Sequence, residues 1–390
     1  MKKVLSILLS VAMIVLCFAA CGKTDGDKSS TGKAANVKVG FIFLHDENST
    51  YDKNFITAAE EACKKAGVEI LKKTNISETQ ACYDAAAELV DEGCNVIFAD
   101  SFGHEPYVIQ AAKKFPEVQF LHATGTKAHT EGLSNYHNAF ASIYEGRYLA
   151  GVAAGMKLNE MISSGKITAD KAKMGYVGAY TYAEVISGYT SFYLGAKSVC
   201  PSVTMEVTFT GSWYDETAEK EAAQKLINNG CVLISQHADS MGAPTACEAA
   251  GVPNVSYNGS TVSACPNTFI VSSRIDWAPY LEYAIDCVKN GKAIDTDWTG
   301  TLSTGSVVLT DVNTKAAAEG TQAKIDEVKA ELESGKLHVF DTSAFTVTVS
   351  DSKNKNATVD ADGHLTGYKA DIDSDADNTG DTEVVSDGYF

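Results

Sequence analysis

One pattern occurs twice in this chain, as LVDEGCNVIFADS at residues 89–101 and as LINNGCVLISQHADS at residues 226–240. In both copies a helix-like segment turns at a Gly-Cys pair into a short apolar strand, and the copy ends on an aspartate and a serine. Each copy continues into a helix start and a further short strand, at 118–123 and 252–257. Ligands of parallel α/β sheets bind outside the carboxyl ends of the strands, so this duplication predicts two such edges facing each other across a cleft.

The repeated unit belongs to a longer series of alternating strand and helix patterns, which runs from residue 37 to about residue 290. The chain has 390 residues and is 45% hydrophobic, which is enough for about two domains. With right-handed crossovers, the alternation predicts an α/β fold of two doubly wound parallel-sheet lobes. We expect lobe 1 to contain residues 37–140 and 272–300, and lobe 2 to contain residues 141–271 and 301–340. About three crossover strands, near 140, 270 and 300, would form the hinge.

The N-terminus has the pattern of an export signal. Two lysines precede an apolar run at residues 4–18, and two alanines follow it. Residues 1–20 are therefore a predicted signal peptide, because the run is too short to span a bilayer. Cys21 comes next, as at the bacterial lipoprotein cleavage site, where that cysteine is lipid-modified, and residues 21–36 form a polar linker. The alternative is a plain signal peptide cut nearby. We expect an extracytoplasmic bacterial protein, anchored to the cell membrane through Cys21.

Charge and composition exclude several classes of function. The net charge of −18 argues against nucleic acid as a partner, because phosphate binding requires a basic surface. Much of the acidity lies in residues 341–390, an acidic tail with eleven acidic residues and three lysines. Alternating aspartates at 371–377 resemble a calcium loop but lack its glycine and its final glutamate, which favours a solvated acidic stretch. No Cys/His spacing indicates zinc, and we expect no metal or cofactor.

Aromatic and hydrogen-bonding side chains collect at the predicted strand ends. Such a mixture suits a small planar polar ligand, which stacks on rings while its edges are read by donors and acceptors. Nucleobases fit this description, and sugars fit it nearly as well. The candidate ligand-binding residues are Asp46, Asn48, Tyr51, Ser101, Phe102, Gly125, Tyr180, Trp213, His237, Asp239, Asp276 and Trp277.

Several of these positions have a structural explanation as well. Asp239 could cap the helix that follows it as readily as bind a ligand, and for Asp100 capping is favoured. Glu184 fits the first turn of its helix better than a ligand contact. Trp277 could pack between the lobes. Tyr51 lies in a polar loop with no evident core to fill, which favours a ligand role.

Several stretches together resemble the basic membrane protein family of solute-binding lipoproteins, which includes purine-nucleoside receptors of ABC importers. They include VGFI at 39–42, HATG at 122–125, YEGRYLAG at 144–151, SWYD at 212–215 and QHADS at 236–240. The resemblance covers roughly residues 37–345. It implies a type I periplasmic-binding-protein fold that holds a purine base between aromatic rings of the two lobes, and ABC permease subunits as partners.

The resemblance also assigns roles to individual residues. It implies that Tyr51 is the stacking ring of the first lobe and that Tyr180 or Trp213 is its partner in the second. Asp239 and Asp276 would be the polar contacts. The first loop departs from the Asp-Lys-x-Phe-Asn run of the better-known nucleoside receptors and reads ENSTY at 47–51 instead. The matching stretches are closer to a branch associated with adenine-like ligands.

Three classes of function compete. The favoured one is a monomeric binding protein that captures a purine base or nucleoside and passes it to a permease. An exported nucleoside hydrolase, with Asp46, Asp215 or His237 as acid and base, is disfavoured because the chain has no GxSxG, HExxH or GxxxxGK[ST] motif. A sensor that reports its ligand to a membrane kinase stays open. A DNA-binding regulator of the same fold would need helices where this chain has its leader.

Overall fold

The computed structural model describes residues 36–340 and the backbone of two short strands beyond them, at 358–359 and 365–366. The predicted signal peptide, Cys21, nearly all of the linker and the calcium-like aspartates lie outside the described residues. None of the helices in the described part is long and apolar enough to cross a membrane.

Strands and helices alternate through the described chain as the sequence predicts. The strands are β1 (Lys38–Ile42), β2 (Glu69–Lys73), β3 (Val96–Ala99), β4 (Gln119–Ala123), β5 (Tyr136–Ala141), β6 (Lys173–Gly178), β7 (Thr204–Phe209), β8 (Leu233–His237), β9 (Asn254–Tyr257), β10 (Phe269–Ile275), β11 (Asp297–Gly300), β12 (Val307–Leu309), β13 (Thr358–Val359) and β14 (Leu365–Thr366). The helices are α1 (Thr50–Ala66), α2 (Gln80–Asp91), α3 (Glu105–Lys114), α4 (Ala128–Glu131), α5 (Ile143–Ser163), α6 (Ala183–Val199), α7 (Glu216–Asn228), α8 (Gly242–Ala250), α9 (Ala278–Lys289) and α10 (Thr321–Glu333).

Two six-stranded sheets form the cores of the two lobes. The sheet of lobe 1 has the order β11-β5-β4-β3-β1-β2, and all its neighbours are parallel. The sheet of lobe 2 has the order β12-β10-β9-β8-β6-β7 and is parallel except for β12, which runs antiparallel to β10. The apolar faces of these strands are covered by helices on both sides, as parallel sheets require. The predicted α/β fold of two doubly wound lobes is confirmed.

The chain passes between the sheets three times, after Ala141, after Ile275 and after Gly300. The second passage lies later than the expected boundary between residues 271 and 272, which falls inside β10. Ser273, Arg274 and Ile275 all pair with β12, so the whole of β10 belongs to the sheet of lobe 2. The helix that follows, α9, packs against α1 in lobe 1.

Glycines allow α5 and α6 to pack at very close range behind the lobe 2 sheet. A Cβ atom at Gly151 would collide with the carbonyl oxygen of Phe192, and one at Gly195 would collide with that of Tyr148. Only glycine permits this backbone approach. The pairing holds the N-terminal end of α6, which carries Glu184, beside the first passage between the lobes.

Candidate ligand-binding site

A cavity lies between the lobes, where the carboxyl ends of the two sheets face each other. Twelve residues line it: Leu44, His45, Tyr51, Asp52, Ser101, Phe102 and Thr124 from lobe 1, and Glu184, Trp213, His237, Asp239 and Tyr257 from lobe 2.

The lobes touch around this cavity, so the structure represents a closed arrangement. The rings of His45 and Tyr214 lie 5.5 Å apart across the cleft. Phe102 of lobe 1 lies 5.1 Å from Tyr182 of lobe 2. A backbone contact reinforces these ring contacts, since the N–H of Thr50 donates to the carbonyl oxygen of Asp239 at 3.0 Å.

Aromatic rings from both lobes form much of the cavity wall. In lobe 1, the ring of Tyr51 packs edge-on against Phe55 at 4.9 Å, and its hydroxyl donates to the carbonyl oxygen of Asp100 at 2.8 Å. In lobe 2, Trp213 supplies one ring and Tyr257 another. The hydrogen bond of Tyr51 fixes the plane of its ring, so this wall is arranged before any ligand arrives.

Two carboxyl groups lie together on the lobe 1 side. Asp52 accepts the N–H of His45 at 2.7 Å, the hydroxyl of Ser49 at 2.6 Å and the Nδ1 of His45 at 3.2 Å. Burial acts to raise the pKa of Asp52, but these hydrogen bonds outweigh it and lower the pKa. Burial and the neighbouring charge of Asp52 raise the pKa of Asp100 well above its usual range. The pKa of Asp52, which lines the cavity, is therefore lowered, while that of its neighbour Asp100 is raised.

The polar groups of lobe 2 form a second cluster. The hydroxyl of Tyr257 donates to Glu184 at 3.2 Å, and the Nε2 of His237 lies 3.7 Å from the same carboxylate. Burial lowers the pKa of His237, so its imidazole is neutral at physiological pH. Asp239 accepts the side-chain amide of Asn258 at 3.2 Å, and burial raises the pKa of Asp239. The cluster offers mainly acceptors, which suit a ligand that carries N–H or O–H groups along its edge.

The structure brings six of the twelve candidate residues together at the cavity. These six are Tyr51, Ser101, Phe102, Trp213, His237 and Asp239. They come from α1, from the ends of β3 and β8, and from the segment after β7, and the sheet order places these segments at one edge of each lobe. Half of the residues that the sequence predicted from strand ends therefore line one cavity.

The other six candidates lie elsewhere. The ring of Tyr180 lies 5.0 Å from that of Trp213, and Tyr180 does not line the cavity. Asn48 donates to Asp46 at 2.9 Å within an exposed loop. The N–H of Gly125 donates to Asn138 at 2.7 Å, below the cavity wall.

Asp276 and Trp277 follow β10, where the chain leaves lobe 2. Asp276 pairs with Arg274 at 3.3 Å and accepts the N–H of Ala278 at 3.0 Å, at the start of α9. It lines a separate cleft. Trp277 is buried in the core of lobe 1, where it stacks on Phe55 at 4.5 Å. Neither residue lines the ligand cavity.

Six lining residues were not among the candidates: Leu44, His45, Asp52, Thr124, Glu184 and Tyr257. Tyr257 ends the second strand of the second repeat, so the duplicated pattern could have identified it as a candidate. Asp52 directly follows Tyr51. A sequence pattern does not show whether a carboxylate in the first turn of a helix is buried or exposed, so Asp52 was missed. The structure also shows that Asp100 caps no helix and accepts the N–H of Leu44 at 3.1 Å instead.

Comparison with known proteins agrees with this geometry. Residues 40–337 match the family model Bmp, described as ABC transporter substrate-binding protein PnrA-like. A purine-binding protein of Brucella abortus (strain 2308) is 30% identical over 310 residues, which cover 78% of this chain and 83% of that protein. A putative ABC transporter glucose-binding protein of Haloferax volcanii is 27% identical over 332 residues, which cover 83% of this chain and 78% of that protein.

A solved structure has the same fold. The ABC transporter solute-binding protein of Conexibacter woesei superposes with a TM-score of 0.64 at 21% identity, covering 77% of this chain and 98% of that one. The family model spans far more than half of the chain, and the resemblance predicted from the sequence motifs is confirmed. This chain belongs to the Bmp family of PnrA-like substrate-binding proteins of ABC transporters.

Proposed function

We propose that this protein captures a purine base or nucleoside between its two lobes and presents it to an ABC permease. The observation that carries the proposal is the closed cavity with rings from both lobes, Tyr51 and Phe102 on one side and Trp213 and Tyr257 on the other. A flat heterocycle gains most from such walls, because each base stacked on an aromatic ring gains roughly 1–3 kcal/mol.

The polar groups support a ligand that is rich in hydrogen-bond donors. Asp52 and Glu184 place carboxylates at opposite sides of the cavity, while Ser101 and Thr124 add hydroxyls. The exocyclic amine and ring N–H of an aminopurine, or the hydroxyls of a ribose, match this set. The Brucella relative named as purine-binding supports the same class of ligand.

The site of action follows from the family and the leader. Substrate-binding proteins of ABC transporters are extracytoplasmic. We propose further that Cys21 carries the lipid that tethers this chain to the membrane, since it directly follows the predicted signal peptide. Labelling of cells with a radioactive fatty acid should then mark the parent protein and leave Cys21→Ala unlabelled, and an unlabelled parent would contradict the anchor.

Two measurements test the ligand. Mass spectrometry of the small molecule that copurifies with the protein should identify a purine base or nucleoside. Calorimetric titration of the ligand-free protein with adenine, adenosine and guanosine should give binding with one site per chain. The bound compound should be recovered unchanged, because cleavage to base and ribose would establish a hydrolase instead. No binding of any of the three would reject the proposal.

A sugar is the second candidate ligand. Ring walls with carboxylates at their edges also suit pyranoses, and the Haloferax relative is named as a putative glucose-binding protein. Titration with glucose and ribose in the same experiment separates the two classes. Tight binding of glucose, with adenine failing to compete, would favour the sugar over the purine.

A further inference from the structure

Arg147 is a buried cation directly behind the lobe 2 wall of the cavity. It projects from α5 and has no exposed surface. Its guanidinium donates to the hydroxyl of Ser235 at 2.6 Å, to the carbonyl oxygen of Ser256 at 3.0 Å and to the hydroxyl of Ser273 at 3.2 Å. These partners lie on β8, β9 and β10, so a single side chain ties three adjacent strands together close to their carboxyl ends.

Three aromatic rings enclose the same guanidinium. The centroid of Phe192 lies 4.9 Å from its central carbon, that of Tyr176 lies 5.4 Å away and that of Tyr257 lies 5.5 Å away. Cation–π contacts of this kind gain strength where water is excluded. In the described part of the chain, Arg147 forms no ion pair with a carboxylate, and its Nε has no hydrogen-bond partner. The rings and the strand oxygens are therefore its main stabilising surroundings.

One of these rings reaches the ligand cavity. Tyr257 contacts Arg147 on one side, while its own ring lies 4.0 Å from the ring of His237 and its hydroxyl binds Glu184. Both His237 and Glu184 line the cavity. A continuous path of contacts thus leads from the buried cation through Tyr257 to the polar groups that face the ligand.

We propose that Arg147 is a positioning residue of the ligand site, which acts through Tyr257 on Glu184 and His237 without touching the ligand. The proposal deepens the proposed function, because it assigns a residue outside the cavity to the affinity for the purine. The planar guanidinium holds the ring of Tyr257 in one plane, and this fixes the hydroxyl that orients Glu184. Burial is the main cause that lowers the pKa of His237, and the positive charge of Arg147 lowers it further.

A double-mutant cycle tests the path with adenine and adenosine as probes. We expect Arg147→Met and Tyr257→Phe each to weaken binding by about tenfold, on the scale of a lost hydrogen bond to a charged group. Because both act through the same contact, the double variant should also lose about tenfold rather than a hundredfold. Phe102 lies on the opposite lobe. When Arg147→Met is combined with Phe102→Ala, we therefore expect the two losses of affinity to multiply. Multiplication of the losses of Arg147→Met and Tyr257→Phe would overturn the proposal.

A second readout needs no ligand. The titration of His237 in the ligand-free protein can be followed by NMR of its ring. The groups that face His237 are Glu184, Tyr176, Tyr257 and, behind the rings, Arg147. We expect Arg147→Met to raise the pKa of His237 by roughly half a pH unit or more, and Arg147→Lys, which keeps the charge, to leave it nearly unchanged. An equal pKa in all three proteins, with unchanged affinity for the probes, would overturn the proposal.

The two readouts separate this inference from the proposed function. If the parent protein binds no purine but the titration of His237 moves in Arg147→Met, the purine assignment fails and the positioning role stands. If the parent binds adenine and Arg147→Met binds it equally well, the positioning role fails and the purine assignment stands. Should Arg147→Met not fold, Ser273→Ala removes one partner of the guanidinium, and a loss of affinity without a lowered melting temperature would then support the role. Unchanged affinity in that variant would count against it.

Discussion

Thr50 donates both its backbone N–H and its hydroxyl to the carbonyl oxygen of Asp239, at 3.0 and 3.2 Å. Thr50 is the first residue of α1 in lobe 1, and Asp239 follows β8 in lobe 2. Two donors on one acceptor thus join the lobes directly beside the ligand cavity. This contact exists only when the cleft is closed, so its free energy adds to the closed form alone.

Thr50→Pro should open this contact without disrupting α1. Proline is well tolerated at the first helical position, and Ser49 before it already has the extended backbone, φ −75° and ψ 128°, that a residue before proline prefers. The variant loses both donors. At roughly 0.5–1.5 kcal/mol for each hydrogen bond, we expect the bound ligand to dissociate about 5 to 160 times faster. Stopped-flow tryptophan fluorescence would measure the rate.

The matched control for that variant is Thr50→Val. Valine keeps the N–H and loses only the hydroxyl, so dissociation should accelerate by less than in Thr50→Pro. Equal dissociation rates in the parent and in Thr50→Pro would show that the contact does not contribute to closure.

Removal of an aromatic ring from the cavity wall should weaken ligand binding. We expect Phe102→Ala and Trp213→Ala each to weaken the binding of adenine by roughly 1–3 kcal/mol, the range for a base stacked on an aromatic ring. Isothermal titration of each variant measures the loss. Phe209→Ala is the control, because this ring is 38% exposed and lies outside the cavity lining. A loss in Phe209→Ala as large as in Trp213→Ala would indicate a general effect on lobe 2 instead of stacking.

The charge of the cavity predicts that phosphorylated purines are rejected. Asp52, Glu184 and Asp239 line the site, and no lysine or arginine is among the twelve lining residues of the described chain. A phosphate enclosed beside an ionised Asp52 would meet like charge, which costs several kcal/mol. We expect AMP to bind at least about 100-fold more weakly than adenosine when both are titrated at one ionic strength. Comparable dissociation constants for the two would contradict this account of the cavity.

Glu219 should make the stability of the protein depend on pH. It is fully buried in lobe 2, where it accepts the N–H groups of Ser240 and Asp215 at 3.2 Å, and burial raises its pKa to about 7. Between pH 4.5 and 7 the folded protein keeps a proton that the unfolded chain releases, so the free energy of unfolding falls as pH rises through this window. The fall due to this one group is at most about 3 kcal/mol.

Glu219→Gln removes this titration and serves as the test. In urea unfolding at pH 5 and pH 8, the parent should lose more stability between the two pH values than the variant does. Glu216→Gln, which changes an exposed carboxylate of the same helix, is the control and should behave like the parent. An identical pH dependence in the parent and in Glu219→Gln would mean that Glu219 titrates near its usual pKa.

Local patterns were sufficient to predict most of the fold. The two copies at 89–101 and 226–240 each gave the end of a helix, a central strand and the polar residues after it. Three of the six candidates found at the cavity, Ser101, His237 and Asp239, come from these copies. These residues lie together because the carboxyl ends of neighbouring parallel strands share one edge of a sheet.

The same argument misplaced the residues after β10. The strand itself belongs to lobe 2, but the helix after it returns to lobe 1, so Asp276 lies at the hinge and Trp277 in a core. The sequence pattern of a strand does not predict against which lobe the following helix will pack. That choice depends on the apolar surface of α1, including Phe55, which is distant in sequence.

The amino-acid sequence by itself determined the class of fold, the duplication and the family, because periodicity, turn residues and motifs act over a few neighbouring positions. Only the tertiary structure decided which side chains meet across the cleft and which charges they hold. The lowered pKa of Asp52, the raised pKa of Asp100 and the contacts of the buried Arg147 depend on packing and on the partners that packing supplies. Exclusion of water is a property of the packed molecule, and no single stretch of sequence contains it.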